Sequence, residues 1–149
     1  MGYKMIARQY EPDLSANLIP GISAAGISLG QSISEVESII CSFKSWSPLC
    51  DEQLSQVINR NTGWLKYEFV VTRLNASDIF YVNFYYNDGV IELTVKNGIL
   101  DRILVGAGYI GSAFNILKVG SHVDDLAIQA AIKYDLLEEV YFFADKLYK

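Results

Sequence analysis

The sequence predicts an α+β fold, an antiparallel β-meander sheet with two helices, and two observations lead to it. The first is a central run of three segments whose apolar residues recur at every second position: Leu65, Tyr67, Phe69 and Val71, then Phe80, Val82 and Phe84, then Ile91, Leu93 and Val95. The second is a segment that occurs twice, as Gly26-Ile-Ser-Leu-Gly-Gln-Ser-Ile-Ser-Glu-Val36 and as Asn115-Ile-Leu-Lys-Val-Gly-Ser-His-Val-Asp-Asp-Leu126. Each copy reads as a short apolar strand (Ile27 and Leu29; Leu117 and Val119), a glycine (Gly30; Gly120), a polar cap and an acidic first helical turn (Glu35; Asp125). A duplicated strand-glycine-helix unit, over about residues 26–43 and 115–132, therefore frames the meander. Such a scaffold points to function on a surface rather than in one catalytic centre.

Size and composition agree with a single domain over residues 1–149. Apolar residues make up 51 % of the chain and charged ones 19 %, which is far from the composition of a disordered polypeptide. The 17 acidic against 12 basic residues leave a net charge of −5. That balance disfavours nucleic acid or an anionic membrane as the main partner and suits a basic protein. No segment approaches the ~18 apolar residues of a membrane span and the first residues carry no signal-peptide pattern, so the cytoplasm is the expected compartment. Cys41 and Cys50 lie nine apart without a CxxC motif and read as two reduced thiols.

In chain order, residues 1–25 read as an irregular segment containing Pro12, Pro20 and Gly21, with one short strand at Lys4 to Gln9. Ser32-Ile33-Ser34-Glu35 fits a capping box, so a helix starts there; Val36, Ile39, Ile40 and Phe43 share its inner face, and Pro48 stops it. Asp51 to Asn59 is a second short helix with Leu54, Val57 and Ile58 inward, and Asn61-Thr62-Gly63 is a loop. In the meander, a turn at Asp88-Gly89 sets Tyr86 opposite Ile91, Phe84 opposite Leu93 and Val82 opposite Val95. The opposite face then pairs Tyr85 with Glu92, Asn83 with Thr94 and Tyr81 with Lys96, beside Lys66, Glu68 and Thr72 of the first strand. A two-residue turn at Asn97-Gly98 breaks the next pairing, so a bulge is expected between Ile99 and Asp101, bringing Arg102 opposite Glu92 and Ile103 opposite Ile91. A helix from Ser121 or His122, burying Leu126, Ala130 and Ile132, and a strand over Val140 to Phe143 complete the chain.

Chemistry-bearing motifs are few. Ile103-Leu-Val-Gly-Ala-Gly-Tyr-Ile-Gly111 contains a GxGxxG, Gly106, Gly108 and Gly111, after an apolar strand, and the alternative reading of the chain is a small nucleotide-binding oxidoreductase-like protein built on that turn. Against it, Gly106 to Asp124 is 18 residues, about five short of a full crossover, and 38 residues after Gly111 cannot complete a doubly wound sheet. The glycines read better as a bend between a strand and the second repeat unit. His122 is the single histidine and sits at a helix cap, so no histidine metal cluster or serine-histidine relay is expected, and no catalytic residue, cofactor or metal is assigned. Asp124 and Asp125 suit the positive end of a helix dipole.

The expected partner-binding residues are Lys66, Glu68, Tyr81, Asn83, Tyr85, Asp88 and Glu92, which mix aromatic bodies with acids and amides as protein-binding surfaces do. That face is either open to a partner or covered by one of the helices. The frame of Gly26 to Ile39, then Tyr85-Tyr86-Asn-Asp-Gly-Val-Ile91, then Gly108-Tyr109-Ile-Gly111 leading to Asn115 through Leu126 resembles small bacterial immunity proteins. Those are paired with polymorphic toxins delivered by contact-dependent growth inhibition or type VI secretion. The resemblance covers roughly residues 25–145 and implies a cytoplasmic toxin inhibitor, not an enzyme, that binds one cognate toxin domain by protein-protein contact. It transfers no site residue, because such interfaces differ from pair to pair. Self-association is left open.

Overall fold

The computed structural model describes residues 11–49, 51–115 and 117–121, together with the backbone of two strands at 132–135 and 140–143. In order, the elements are β1 (Ser23–Ala24), β2 (Ile27–Ser28), α1 (Ile33–Ile40), β3 (Lys44–Trp46), α2 (Leu54–Arg60), β4 (Trp64–Val71), β5 (Ile79–Tyr86), β6 (Ile91–Lys96), β7 (Ile99–Val105), β8 (Ile132–Asp135) and β9 (Val140–Phe143). The α+β class is therefore as the sequence predicts. The central sheet has five strands in the order β3-β4-β5-β6-β7, antiparallel except for the parallel β3-β4 pair.

Local chemistry sets the elements that precede the sheet. Ala25 and Gly26 both hold positive φ, so a two-residue turn joins β1 to β2. The capping box forms: the Ser32 hydroxyl accepts from the Glu35 N–H at 3.2 Å, and the Glu35 carboxylate accepts from the Ser32 N–H at 2.9 Å. The helix ends at Cys41, whose φ of 63° breaks the repeat well before Pro48. That early stop frees Lys44, Ser45 and Trp46 to pair beside Leu65, Lys66 and Tyr67, a strand the sequence reading missed. In α2, Leu54, Val57 and Ile58 are half-buried, as their spacing predicts.

The β5-β6 register agrees with expectation residue for residue, from Tyr86 opposite Ile91 to Tyr81 opposite Lys96, across a loop of residues 87–90. The β6-β7 turn is Asn97-Gly98, and Asp101 is the extra residue of the bulge. The pairs beyond it differ by two from the expected ones: Arg102 lies opposite Thr94 and Ile103 opposite Leu93, because the bulge residue sits on β7 and lengthens that strand.

One face of the sheet, here face A, carries the core. Trp64, Phe84, Ile91, Leu93, Val95 and Leu100 are all at most 1 % exposed and pack with Val36 and Ile40 of α1 and with Ala25 and Ile27 of the hairpin. Tyr109 joins them, 3 % exposed, and its hydroxyl accepts from the Ala25 N–H at 3.0 Å and donates to the Ala16 carbonyl at 2.8 Å. This tyrosine ties the turn after β7 to both ends of the N-terminal segment. Tyr109→Phe keeps the ring and loses both bonds, so a stability loss of about 2 kcal/mol is expected in urea denaturation, at roughly 1 kcal/mol per bond.

The structure does not confirm the duplicated unit. Gly30 and Gly120 share a positive φ, 87° and 91°, but the expected strand at Leu117 and Val119 is reduced to one bridge between Leu117 and Ala113. The helix from Ser121 or His122 with Leu126 and Ala130, the strand at Lys4 to Gln9, and Cys50 lie outside the described residues. Ile132 belongs to β8, which pairs with β9, so the expected Val140 to Phe143 strand is present with a partner the sequence reading did not find.

Candidate functional site

The opposite face, face B, is built from alternate residues of β4 to β7. Tyr81, Asn83, Tyr85, Glu92 and Thr94 share it, as expected. Lys66 and Glu68 do not. They lie opposite Phe84 and Val82 and therefore belong to face A, while Leu65, Tyr67, Phe69 and Val71 take their place opposite Tyr85, Asn83, Tyr81 and Ile79. The expected face assignment of β4 is thus reversed. Asp88 is exposed in the loop after β5, at the opposite end of that strand from Tyr81.

Lys66 explains how an ionic residue sits on the core side. Its Nζ lies 2.7 Å from Glu37 of α1 and 2.9 Å from Glu68, and 5.1 Å from the centre of the Phe43 ring. Its side chain is 14 % exposed, so the ion pairs and the ring face replace most of its water. Burial by itself lowers the Lys66 pKa; hydrogen bonds and charge from Glu37 and Glu68 outweigh it and raise the value. On face B, burial raises the Tyr85 pKa, with only partial relief from the hydrogen bond it accepts from Asn83. Both raised values mean that stability is complete below about pH 10 and is lost as pH climbs through the shifted values. Urea denaturation at about pH 8 and about pH 11 is expected to show that fall, and Lys66→Met, which removes one of the two groups, is expected to reduce it.

Face B is covered at one end and open at the other. Leu65 and Tyr85 are buried, whereas Tyr67, Phe69 and Tyr81 are half-buried and Val71 is exposed. Along the open part runs a row of rings: Trp46 against Tyr67 at 5.0 Å edge-on, Tyr67 against Phe69 at 5.1 Å, and Phe69 against Tyr81 at 5.0 Å, the last two stacked. The Trp46 indole N–H donates to the Glu52 carbonyl at 3.0 Å, which fixes the end of the row. Each ring pair contributes on the order of 1 kcal/mol beyond its buried area, so the row is a firm platform rather than a set of loose side chains.

Beside the platform is a pocket of about 370 Å³ lined by Phe69, Tyr81, Asn83, Thr94, Asp101 and Arg102. Asn83 and Thr94 are 9 % and 6 % exposed. The Asn83 Nδ2 donates to the Tyr85 hydroxyl at 3.1 Å, but Asn83 Oδ1 and Thr94 Oγ1 are buried without a hydrogen-bond partner. Two such groups side by side on paired strands cost roughly 1–3 kcal/mol each if nothing reaches them. A second, apolar pocket of about 210 Å³ lies among Leu18, Ile22, Leu29, Ile103, Val105 and Leu117 on the far side of β7.

The Gly106 to Gly111 turn has a different geometry from a phosphate-binding one. Residues 106–115 form turns and, at Ala113, two isolated bridges, with no helix whose N-terminus could meet a phosphate. The glycines instead permit close backbone contact: a Cβ on Gly106 would lie 2.9 Å from the Gly89 carbonyl oxygen, and one on Gly111 would collide with the Ala16 carbonyl oxygen. Among the described residues, no three of His, Cys, Asp and Glu gather as metal ligands, and no helix is long and apolar enough to cross a membrane. Compared with protein-family models, curated proteins and solved structures, the chain matches none.

Tyr67, Phe69 and Trp46 are the functional candidates that sequence reasoning assigned elsewhere or did not single out. The usable signal was Trp64. Trp64 is 1 % exposed in the core, and it shares parity with Lys66 and Glu68, not with Tyr67 and Phe69.

Proposed function

We propose that this chain is a binding protein of the immunity type, which neutralises a cognate bacterial toxin domain by covering its active site or its partner surface, and that the toxin docks on the open end of face B. The observation that carries this reading is the row Trp46, Tyr67, Phe69 and Tyr81, half-exposed and contiguous beside a pocket with two unpaired buried polar groups. Stacked rings offer large contact area at little entropic cost, and unpaired polar groups at the centre of a face are completed by a partner that brings the missing donors. The net charge of −5 suits a basic toxin domain and speeds its encounter. Such action takes place in the cytoplasm and needs neither catalysis nor a cofactor. The resemblance to immunity proteins of contact-dependent or type VI systems supplies the class of partner.

The test is capture of the tagged chain from its native cells through a moderate salt wash, followed by mass spectrometry. One stoichiometric toxin-domain partner, released at high salt, is the expected result. No protein partner, together with a nucleotide retained on the purified chain, would overturn the proposal.

A further inference from the structure

The pocket beside the aromatic row specifies its guest more closely than the surrounding face does. Asn83, Thr94 and Arg102 are direct cross-strand neighbours, and Phe69 faces Tyr81 on the adjoining rung. The bulge at Asp101 brings two consecutive residues of β7, Asp101 and Arg102, to the same pocket. Its lining is thus an amide, a hydroxyl, a pair of stacked rings, a carboxylate and a guanidinium.

The Asn83 amide nitrogen is committed to Tyr85, which leaves the carbonyl oxygen as the atom without a partner. A guest that completes Asn83 must therefore donate, and a carboxylate or phosphate is repelled by that oxygen, while the Thr94 hydroxyl can accept or donate. Arg102 reaches toward Glu92, 3.9 Å away, so its charge is partly answered by the protein itself. Asp101 remains for the guest. A planar group with several N–H donors and a positive charge suits this lining: it stacks on the Phe69 and Tyr81 rings, pairs with Asp101 and, with a small turn of the two side chains whose oxygens are covered in the unbound chain, donates to Asn83 Oδ1 and Thr94 Oγ1. We infer that this pocket is a subsite for an arginine side chain of the partner. The inference rests on the reading of face B as a protein-binding surface and names what that surface selects.

The test uses the full chain and a defined probe, Nα-acetyl-arginine methyl amide, titrated while amide resonances are followed by NMR. The lysine and citrulline analogues serve as controls, the first keeping charge without the plane, the second the plane without charge. Saturable shifts of the Asn83 side-chain amide and the Thr94 and Asp101 backbone are expected with the arginine probe, with both analogues weaker by about five-fold or more. Thr94→Val, close in shape, is expected to weaken the arginine probe about three-fold while leaving the melting temperature equal or higher, because a methyl group replaces an unpaired hydroxyl. Asp101→Asn lies on an exposed bulge away from the core and is expected to weaken it by a similar factor. No saturable shift, equal affinity for the lysine analogue, or affinity unchanged by both substitutions would overturn the inference. If the probe fails while loss of the rings still abolishes partner capture, the subsite is wrong and the binding face stands. If the probe binds and no protein is captured, the binding reading falls and the arginine site remains.

Discussion

Gly111→Ala is expected to destabilise the fold by about 3 kcal/mol or more, measured as a shift of the urea midpoint at unchanged slope. The added Cβ collides with the backbone carbonyl oxygen of Ala16 and comes within 2.7 Å of the Tyr109 ring, and neither obstacle is the end of a flexible side chain. Relief requires the N-terminal segment to move away, yet that segment is held there by the Ile110 and Gly111 N–H groups, which both donate to the Leu14 carbonyl, and by the Tyr109 hydroxyl. The substitution also separates two roles for the Gly106 to Gly111 motif. A nucleotide-binding turn predicts lost nucleotide affinity in a chain that still folds normally; a close-packed bend predicts lost stability first.

Replacing Phe69 and Tyr81 together by alanine is expected to weaken the captured partner by roughly 100-fold or more, since centrally placed aromatic anchors contribute about 2 kcal/mol or more each and are not strictly additive. The fold should tolerate the change far better than it tolerates Gly111→Ala. Both rings are half-buried on face B, remote from the core of Trp64, Phe84 and Leu93 on the other side of the sheet. The matching control is the pair Lys66→Gln and Glu68→Gln, which alters charges on face A and is expected to leave partner affinity within about two-fold. Isothermal titration with the purified partner measures both.

The contrast between β5-β6 and β4-β5 shows what the sequence made legible. A loop of residues 87–90 fixed the first register, since slipping β6 by one residue against β5 would turn Leu93 to the side of Asn83 and Thr94 to the side of Phe84. Residues 72–78 join β4 to β5 and fix no parity, and β4 offers an apolar stripe of Leu65, Tyr67, Phe69 and Val71 that fits either side. The packing of Trp64 decided the matter, at the expense of placing Lys66 under α1, where Glu37 and Glu68 neutralise it. The capping box, the Asn97-Gly98 turn and the bulge are local and were readable for that reason. Strand β3 was hidden because its pairing with β4 is parallel and long-range, and no short-range pattern in Lys44-Ser45-Trp46 announces it. The pocket is half legible: Asn83, Thr94 and Tyr81 fall on the expected face, but Phe69, the other ring of its aromatic wall, comes from the stripe assigned to the core.

Hydroxyl-radical footprinting of the chain, alone and with its captured partner, tests the use of face B most directly, because oxidation of aromatic side chains reports which face of each strand is covered. Partner addition is predicted to protect Tyr67, Phe69 and Tyr81 while Phe80, exposed on the other face of β5, continues to react. Protection of Phe80 and Phe43 with unchanged oxidation of Tyr67, Phe69 and Tyr81 would place the partner on face A and contradict it.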